Sequence, residues 1–153
     1  MSKKHFLFFA LIISTSLVLG GCAGLPSKEK ITNLDYGSPL TGDYKPIVEQ
    51  YFKAYLKDPY SAKFERWEEP VKFWVSTSYY TAPMAGYIVF VWINAKNGFG
   101  AYDGVQRYGA LFKNGSIIGG FEPQTLISSA GIVTSEGESV SCKSPWDMFL
   151  HCP

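Results

Sequence analysis

The chain has 153 residues, a formal net charge of +1 at pH 7 and an aromatic content of 16%. This length is enough for one domain with its own hydrophobic core. The nearly balanced charge argues against nucleic-acid binding, because such binding depends on many contacts between basic side chains and phosphates.

Residues 1–21 have the organisation of a secretion signal. Lys3 and Lys4 precede an apolar run over residues 6–19, which is shorter than the roughly 20 residues that a membrane-spanning helix needs. The run ends in Leu19-Gly20-Gly21-Cys22 and resembles the lipobox of bacterial lipoproteins. In that family the cysteine thiol receives a diacylglyceryl group, and the chain is cut just before the cysteine. A plain secretory signal also has a charged start and a short apolar core, but it leaves Cys22 unexplained.

The lipobox predicts a membrane anchor. Each buried CH₂ group contributes about 0.8 kcal/mol, so several acyl chains on Cys22 hold a protein on a lipid surface. We therefore expect membrane lipid as a partner through acylated Cys22. Residues 22–43 are polar and interrupted by proline and glycine, which predicts a flexible tether, and residues 44–153 are predicted to form one globular periplasmic domain. Without Lys3 and Lys4, twelve basic side chains stand against thirteen acidic ones.

A helix is predicted over residues 44–57. Asp43 can cap its start, Pro46 is tolerated in its first turn, and Asp58-Pro59 ends it. The apolar residues recur at helical spacing and form one stripe, which comprises Tyr44, Ile47, Val48, Tyr51, Phe52, Tyr55 and Leu56.

Strands are predicted after this helix. Asn114-Gly115 suits the positive φ angles of a tight hairpin turn. Tyr87–Asn94 is apolar on both faces and is therefore expected at the centre of the sheet. We expect an α+β fold in which one N-terminal helix packs on an antiparallel sheet of four to five strands. The opposite face then needs cover from residues 120–153 or from a partner molecule. The predicted strands are residues 63–68, 71–78, 87–94, 107–113 and 116–119.

The cysteines other than Cys22 lie near the C-terminus. Cys142 and Cys152 are ten positions apart, and an even number of remaining cysteines in an oxidising compartment favours a disulfide. His151 could join them in a metal site, but no fourth ligand is visible, and a structural zinc site needs four. We expect a disulfide-closed C-terminal loop, no metal and no cofactor.

Few residues could support catalysis. His151 is the only imidazole left after signal removal, and no Gly-x-Ser-x-Gly motif is available to present a nucleophilic serine. Glu65, Glu68 and Glu69 lie near Trp67, and carboxylates beside aromatics are used by enzymes that cleave sugars. Glutamates in a polar stretch are more often simply solvated, so we expect the protein not to be an enzyme.

Two stretches are candidates for recognition. Glycines at 98, 100 and 104 could let backbone N–H groups approach an anion, but a phosphate loop leads into a helix, whereas a strand is predicted after Tyr102. The alternative is a turn with no recognition role. Aromatic side chains at loop ends supply rigid contact area for a partner. The candidate partner surface comprises Tyr79, Tyr80, Lys96, Asn97 and Phe99.

Two segments carry a further resemblance. Leu-Lys-Asp-Pro-Tyr-Ser-Ala-Lys-Phe at 56–64 and Asn-Ala-Lys-Asn-Gly-Phe-Gly-Ala-Tyr-Asp-Gly at 94–104 resemble a pattern in small bacterial envelope proteins that have no settled function. The resemblance implies one compact α+β domain and supplies no catalytic residue. Similar lipoproteins that are retained at the inner membrane often have aspartate directly after the cysteine, whereas this chain has Ala23. The resemblance therefore implies sorting to the outer membrane.

The expected function is therefore a non-catalytic one. We expect a lipid-anchored outer-membrane protein that faces the periplasm and serves as a binding or scaffolding module for an envelope protein assembly. A periplasmic enzyme inhibitor and a glycan-binding lipoprotein remain alternatives. A peptidoglycan hydrolase that uses Glu65 or Glu69 is a further one.

Overall fold

The computed structural model describes residues 27–76, 82–123, 129–133 and 139–142. Cys22, Tyr79, Tyr80 and Cys152 lie outside these ranges. The helical elements are α1 (Lys28–Thr32), α2 (Lys45–Lys53) and a 3₁₀ turn (Pro59–Ser61). The strands are β1 (Lys63–Trp67), β2 (Val71–Ser76), β3 (Met84–Lys96), β4 (Tyr102–Lys113), β5 (Ser116–Phe121), β6 (Ser129–Val133) and β7 (Ser139–Cys142).

The described strands form one antiparallel sheet in the order β5-β4-β3-β2-β6-β7, with β1 paired to β3. Strands β1 and β2 lie end to end along the same edge of β3. Trp67 is opposite Val91 and Val71 is opposite Ile88, so this edge uses one more residue than β3 does over the same length. Pro70 lies in the break, where its missing N–H costs no ladder hydrogen bond.

The sheet curls strongly. Strands β2 and β5 are three strand spacings apart, which is about 14 Å in a flat sheet. The ring centroids of Phe73 on β2 and Phe121 on β5 are nevertheless only 6.1 Å apart. The concave face therefore packs largely against itself. Its buried cluster comprises Phe73, Val75, Ile88, Phe90, Leu111, Phe121, Ala130 and Ile132.

The convex face is covered by the helical elements. Val48 and Phe52 of α2 are buried against Val89 and Val91 of β3. Val48 and Phe52 are four positions apart and so lie on one face of the helix. Val89 and Val91 are two positions apart and so lie on one face of the strand. The central strand β3 is therefore buried on both faces, as its sequence predicts.

The segment before α2 also packs on the convex face. Ile31 and Tyr36 are buried in a cluster with Trp74 and Ala85, and the Tyr36 hydroxyl donates to the Ile31 carbonyl oxygen at 2.9 Å. The Ser38 N–H donates to Asn114 Oδ1 at 3.0 Å. The described part of the segment predicted to be a tether is thus attached to the sheet.

The β4–β5 hairpin confirms the turn predicted from Asn114-Gly115. Both residues have positive φ, 51° and 80° respectively, and they join strands that pair in antiparallel register. Asparagine tolerates this left-handed conformation and glycine adopts it without steric cost.

The predicted α+β architecture with four or five strands is wrong. The molecule is mostly antiparallel sheet, with seven described strands, and the predicted helix over 44–57 ends at Lys53. Gly131-Ile132-Val133, expected to fold over the open face, instead belongs to β6, which pairs with β2. The short β6 and β7 carry too few residues for an alternating pattern, and the curl of the sheet supplies most of the cover that the concave face needs.

The prediction of a disulfide-closed C-terminal loop is also wrong. No disulfide is seen among the described residues. Cys142 ends β7, where it lies opposite Ala130 of β6, and the other predicted half, Cys152, lies outside the described residues. Among the described residues, the backbone pairing of β6 with β7 attaches Cys142 to the sheet.

Candidate functional site

The two sequence segments that carry the resemblance meet in the structure. Ser61, in the first segment, accepts a hydrogen bond on Oγ from the Lys96 N–H at 2.9 Å and donates from the same oxygen to the Asp58 carbonyl at 2.9 Å. The Tyr102 hydroxyl donates to the Ser61 carbonyl at 3.3 Å. The 3₁₀ turn is thereby fastened to the base of the β3–β4 loop, and the two segments form one unit.

Asn97 holds the β3–β4 loop in shape. Its Oδ1 accepts from the N–H groups of Phe99 at 2.9 Å and Ala101 at 3.2 Å, and its Nδ2 donates to Asp103 Oδ1 at 2.6 Å. The Asn97 N–H also donates to the Ala101 carbonyl at 2.8 Å. Such local side-chain bonds suit asparagine in turns and replace the ladder bonds that the loop lacks.

Each of the two turns presents one fully solvated aromatic ring. Tyr60 is 100% exposed and Phe99 is 98% exposed. Tyr102 follows the second turn, and its ring has Lys63 Nζ 4.9 Å and Lys96 Nζ 5.6 Å from its centroid. We call these five side chains the paired-turn surface: Tyr60, Phe99 and Tyr102 with Lys63 and Lys96.

Three of the predicted surface residues come together here. Lys96 and Phe99 belong to the paired-turn surface, whereas the side chain of Asn97 is used within the loop. Tyr79 and Tyr80 lie outside the described residues. The glycine-containing loop joins two antiparallel strands and not a strand to a helix, so it lacks the helix N-terminus that a phosphate loop requires.

A shallow cleft lies beside this unit on the convex face. It has a volume of about 220 Å³ and opens to solvent between the chain after α2 and the β3–β4 hairpin. Burial, and secondarily the negative charges of Glu122 and Asp103, raise the pKa of the Tyr108 phenol. The cleft therefore combines aromatic, acidic and basic groups, and among its lining residues are Tyr55, Leu56, Lys57, Ile93, Lys96, Asp103, Gln106, Tyr108 and Glu122.

The raised pKa of Tyr108 predicts a loss of stability in alkaline solution. Above the ordinary phenol pKa of 10.0 the unfolded chain releases this proton before the folded chain does. The free energy of unfolding therefore falls as pH rises from that value through the folded pKa. We expect Tyr108→Phe to lose less stability than the unmodified protein over this window in urea titrations at successive pH values. Equal slopes of unfolding free energy against pH for the two proteins would contradict a raised pKa of Tyr108.

The glutamates considered for catalysis are separated by their surroundings. Glu65 and Glu69 are exposed. Glu68 accepts from Arg107 at 2.7 Å and lies 3.6 Å from Arg66. Arg107 itself is buried on the concave face, with its guanidinium 3.8 Å from the Phe90 ring centroid. The carboxylate of Glu68 therefore neutralises a buried arginine.

Sequence reasoning missed Arg107, Tyr60, Tyr55 and Gln106. A signal existed for Arg107, because strand alternation places it on the same face as Leu111 and opposite Trp92. Nothing local in the sequence indicates that the residues on either side of the cleft meet, since they come from segments about 40 positions apart.

Two further kinds of site can be tested on the described ranges. In residues 27–76, 82–123, 129–133 and 139–142, no three histidine, cysteine or acidic side chains are placed to hold a metal ion together. No helix within those same ranges has the length and apolar character to cross a membrane.

The chain matches no protein-family model, no curated protein and no solved structure.

Proposed function

We propose that this chain is a lipid-anchored envelope protein whose domain acts as a non-catalytic docking module for an envelope protein. The lipid anchor on Cys22 and an outer-membrane, periplasm-facing location belong to the same proposal and rest on the lipobox resemblance. The docking site is the paired-turn surface.

The observation that carries the proposal is the exposure of Tyr60 and Phe99 on turns that are held in place by hydrogen bonds. Covering an exposed aromatic ring with a partner stabilises the complex by about 1.5–3 kcal/mol. The turns beneath the two rings are fixed by Ser61 and Asn97, so little conformational entropy is lost when a partner covers them. Rigid, exposed aromatics are typical of the residues that dominate binding energy.

The charges around the rings define the partner. Lys63 and Lys96 flank Tyr102, and Lys57 lies close by on the same unit. A complementary surface would offer an apolar pocket for Phe99 or Tyr60 with acidic side chains at its rim. We therefore propose an acidic envelope protein as the partner, recognised by two aromatic side chains within a basic border.

The proposal is tested by site-specific crosslinking in cells. A photo-activatable residue placed at Tyr60 or Phe99 is expected to capture a defined protein, and the same residue at Ile118, exposed on β5, is not. With the captured partner purified, we expect Phe99→Ala to weaken binding by about 2 kcal/mol, which is roughly 30-fold in Kd.

The controls separate docking from folding and from anchoring. Ile118→Ala removes an exposed apolar side chain of another surface and is expected to leave the affinity unchanged. Cys22→Ser is expected to abolish capture in cells while leaving the affinity in solution intact. Equal binding of Phe99→Ala, Tyr60→Ala and the unmodified protein would refute the paired-turn surface as the docking site.

A further inference from the structure

The cleft beside the paired-turn surface has the size of a small-ligand site. Its volume of about 220 Å³ is below the roughly 300–1,000 Å³ of sites that take drug-sized ligands. A nucleotide or a haem group is therefore too large for it, whereas one six-membered ring with its substituents fits. The cleft is open on one side, so the ring could belong to a longer chain that continues into solvent.

The chemistry of the lining distinguishes among small ligands. Tyr55, which is 61% exposed, and Tyr108 offer aromatic surface, and the buried Ile93 lies at the floor of the cleft. Asp103 and Glu122 supply carboxylate oxygens, which are strong hydrogen-bond acceptors.

The remaining polar groups complete this pattern. Gln106 brings an amide that both donates and accepts, and Lys57 and Lys96 bring ammonium donors. Two acidic and two basic groups leave the cleft without a dominant charge. A neutral ligand with an apolar face and several hydroxyl groups satisfies this set better than an anion or a cation.

Part of the cleft is fixed before any ligand arrives. Asp103 is held by the Asn97 side chain at 2.6 Å, and the hairpin that carries both is fastened to the 3₁₀ turn by Ser61. The ring of Tyr55 lies 5.1 Å from that of Tyr51, which packs against α2 residue Phe52 at 5.2 Å. A site whose donors, acceptors and aromatic surface are already in place loses less entropy on binding.

We propose that this cleft binds a single pyranose unit of a neutral glycan. The apolar face of the sugar ring lies against Tyr55, and its hydroxyl groups donate to Asp103 and Glu122 and exchange hydrogen bonds with Gln106. The cleft shares Lys96 with the paired-turn surface, but the glycan contacts proposed here use Tyr55, Asp103, Glu122 and Gln106, which lie outside that surface. Either proposal can therefore hold without the other.

The test uses the ¹⁵N-labelled chain without the predicted signal (residues 22–153) in NMR titrations with three trisaccharides. These are the trimer of N-acetylglucosamine, the α-linked trimer of glucose and the β-linked trimer of glucose. We expect at least one trimer to shift the amide signals of residues around Gln106 and Tyr55 at millimolar concentration. Tyr55→Ala and Gln106→Ala are each expected to weaken that binding at least about tenfold, equivalent to about 1.4 kcal/mol.

The matched control is Tyr60→Ala, which removes an exposed tyrosine of the neighbouring surface and is expected to leave glycan affinity unchanged. Conversely, Gln106→Ala is expected to leave capture of the protein partner unchanged, so the two proposals fail separately. If no trimer shifts the cleft signals, or if the shifts persist undiminished in both cleft variants, the glycan proposal is overturned. A response to free zwitterionic amino acids without any response to the trimers would overturn it equally.

Discussion

Gly86→Ala is expected to destabilise the folded domain by about 3 kcal/mol, because no space exists for a methyl group on the concave side of β3. A Cβ atom at this position would collide with the carbonyl oxygen of Phe112 and lie 3.2 Å from Leu111 Cδ1. The oxygen belongs to the backbone of β4, so it cannot move without shifting the longest strand pair of the sheet. The loss of unfolding free energy is measured by urea denaturation with tryptophan fluorescence as the readout.

Gly98→Ala is the matched control for this substitution. A Cβ at Gly98 meets nothing within 4 Å and the residue does not need positive φ, so we expect a change within about 0.5 kcal/mol. A similar loss at both glycines would show that general backbone flexibility, and not the close approach of β3 to β4, accounts for the result.

Arg107→Ala is expected to cost about 2–3 kcal/mol of unfolding free energy, less than the full penalty of a completely buried pair. The arginine side chain is only 7% exposed, donates to Glu68 at 2.7 Å and stacks on Phe90, whereas Glu68 keeps 32% of its surface in water. The truncation removes packing from the end of the concave core and leaves Glu68 without its closest cation. Thermal and urea unfolding of the purified domain measure the loss.

Arg66→Ala separates this effect from a generic loss of positive charge. Arg66 contacts the same Glu68 at 3.6 Å and its guanidinium lies 4.1 Å from the Trp92 ring centroid, but its side chain is 68% exposed, so we expect a cost of at most about 1 kcal/mol. Arg107→Lys keeps the charge but loses the planar stacking group, and we expect an intermediate cost. If Arg66→Ala lowers the free energy of unfolding as much as Arg107→Ala does, burial of the Arg107–Glu68 ion pair does not explain the stability that Arg107 contributes.

Local patterns in the sequence predicted individual elements better than the fold. The apolar stripe around Val48 and Phe52 indicated a helix, and Asn114-Gly115 indicated a hairpin, because each depends on neighbouring residues alone. The strand count and fold class were missed because β6 and β7 are short and acquire order from pairing with β2 and with each other. The curl of the sheet also escaped prediction, since it is seen only in the contact of Phe73 with Phe121 across two intervening strands.

The candidate site shows the same division. The loop around Phe99 could be proposed from its own residues, because asparagine and glycine signal a turn and an aromatic at its tip signals exposure. The contribution of Tyr60 could not, since it depends on a bond between Ser61 and Lys96, which are 35 positions apart. The cleft is less predictable still, because neither the segment with Tyr55 nor the hairpin with Gln106 indicates a binding site alone.

The attachment of the segment before α2 to the sheet has a mechanical consequence for an anchored protein. Ile31 and Tyr36 are buried, so the folded body already includes the chain around α1. If Cys22 carries the lipid, four residues separate it from Ser27, and the five Cα-to-Cα steps between them reach at most roughly 18 Å when fully extended. Such a short linker would keep the domain close to the bilayer and limit its rotation. Distance from the lipid surface, as much as affinity, would then decide which partners it meets.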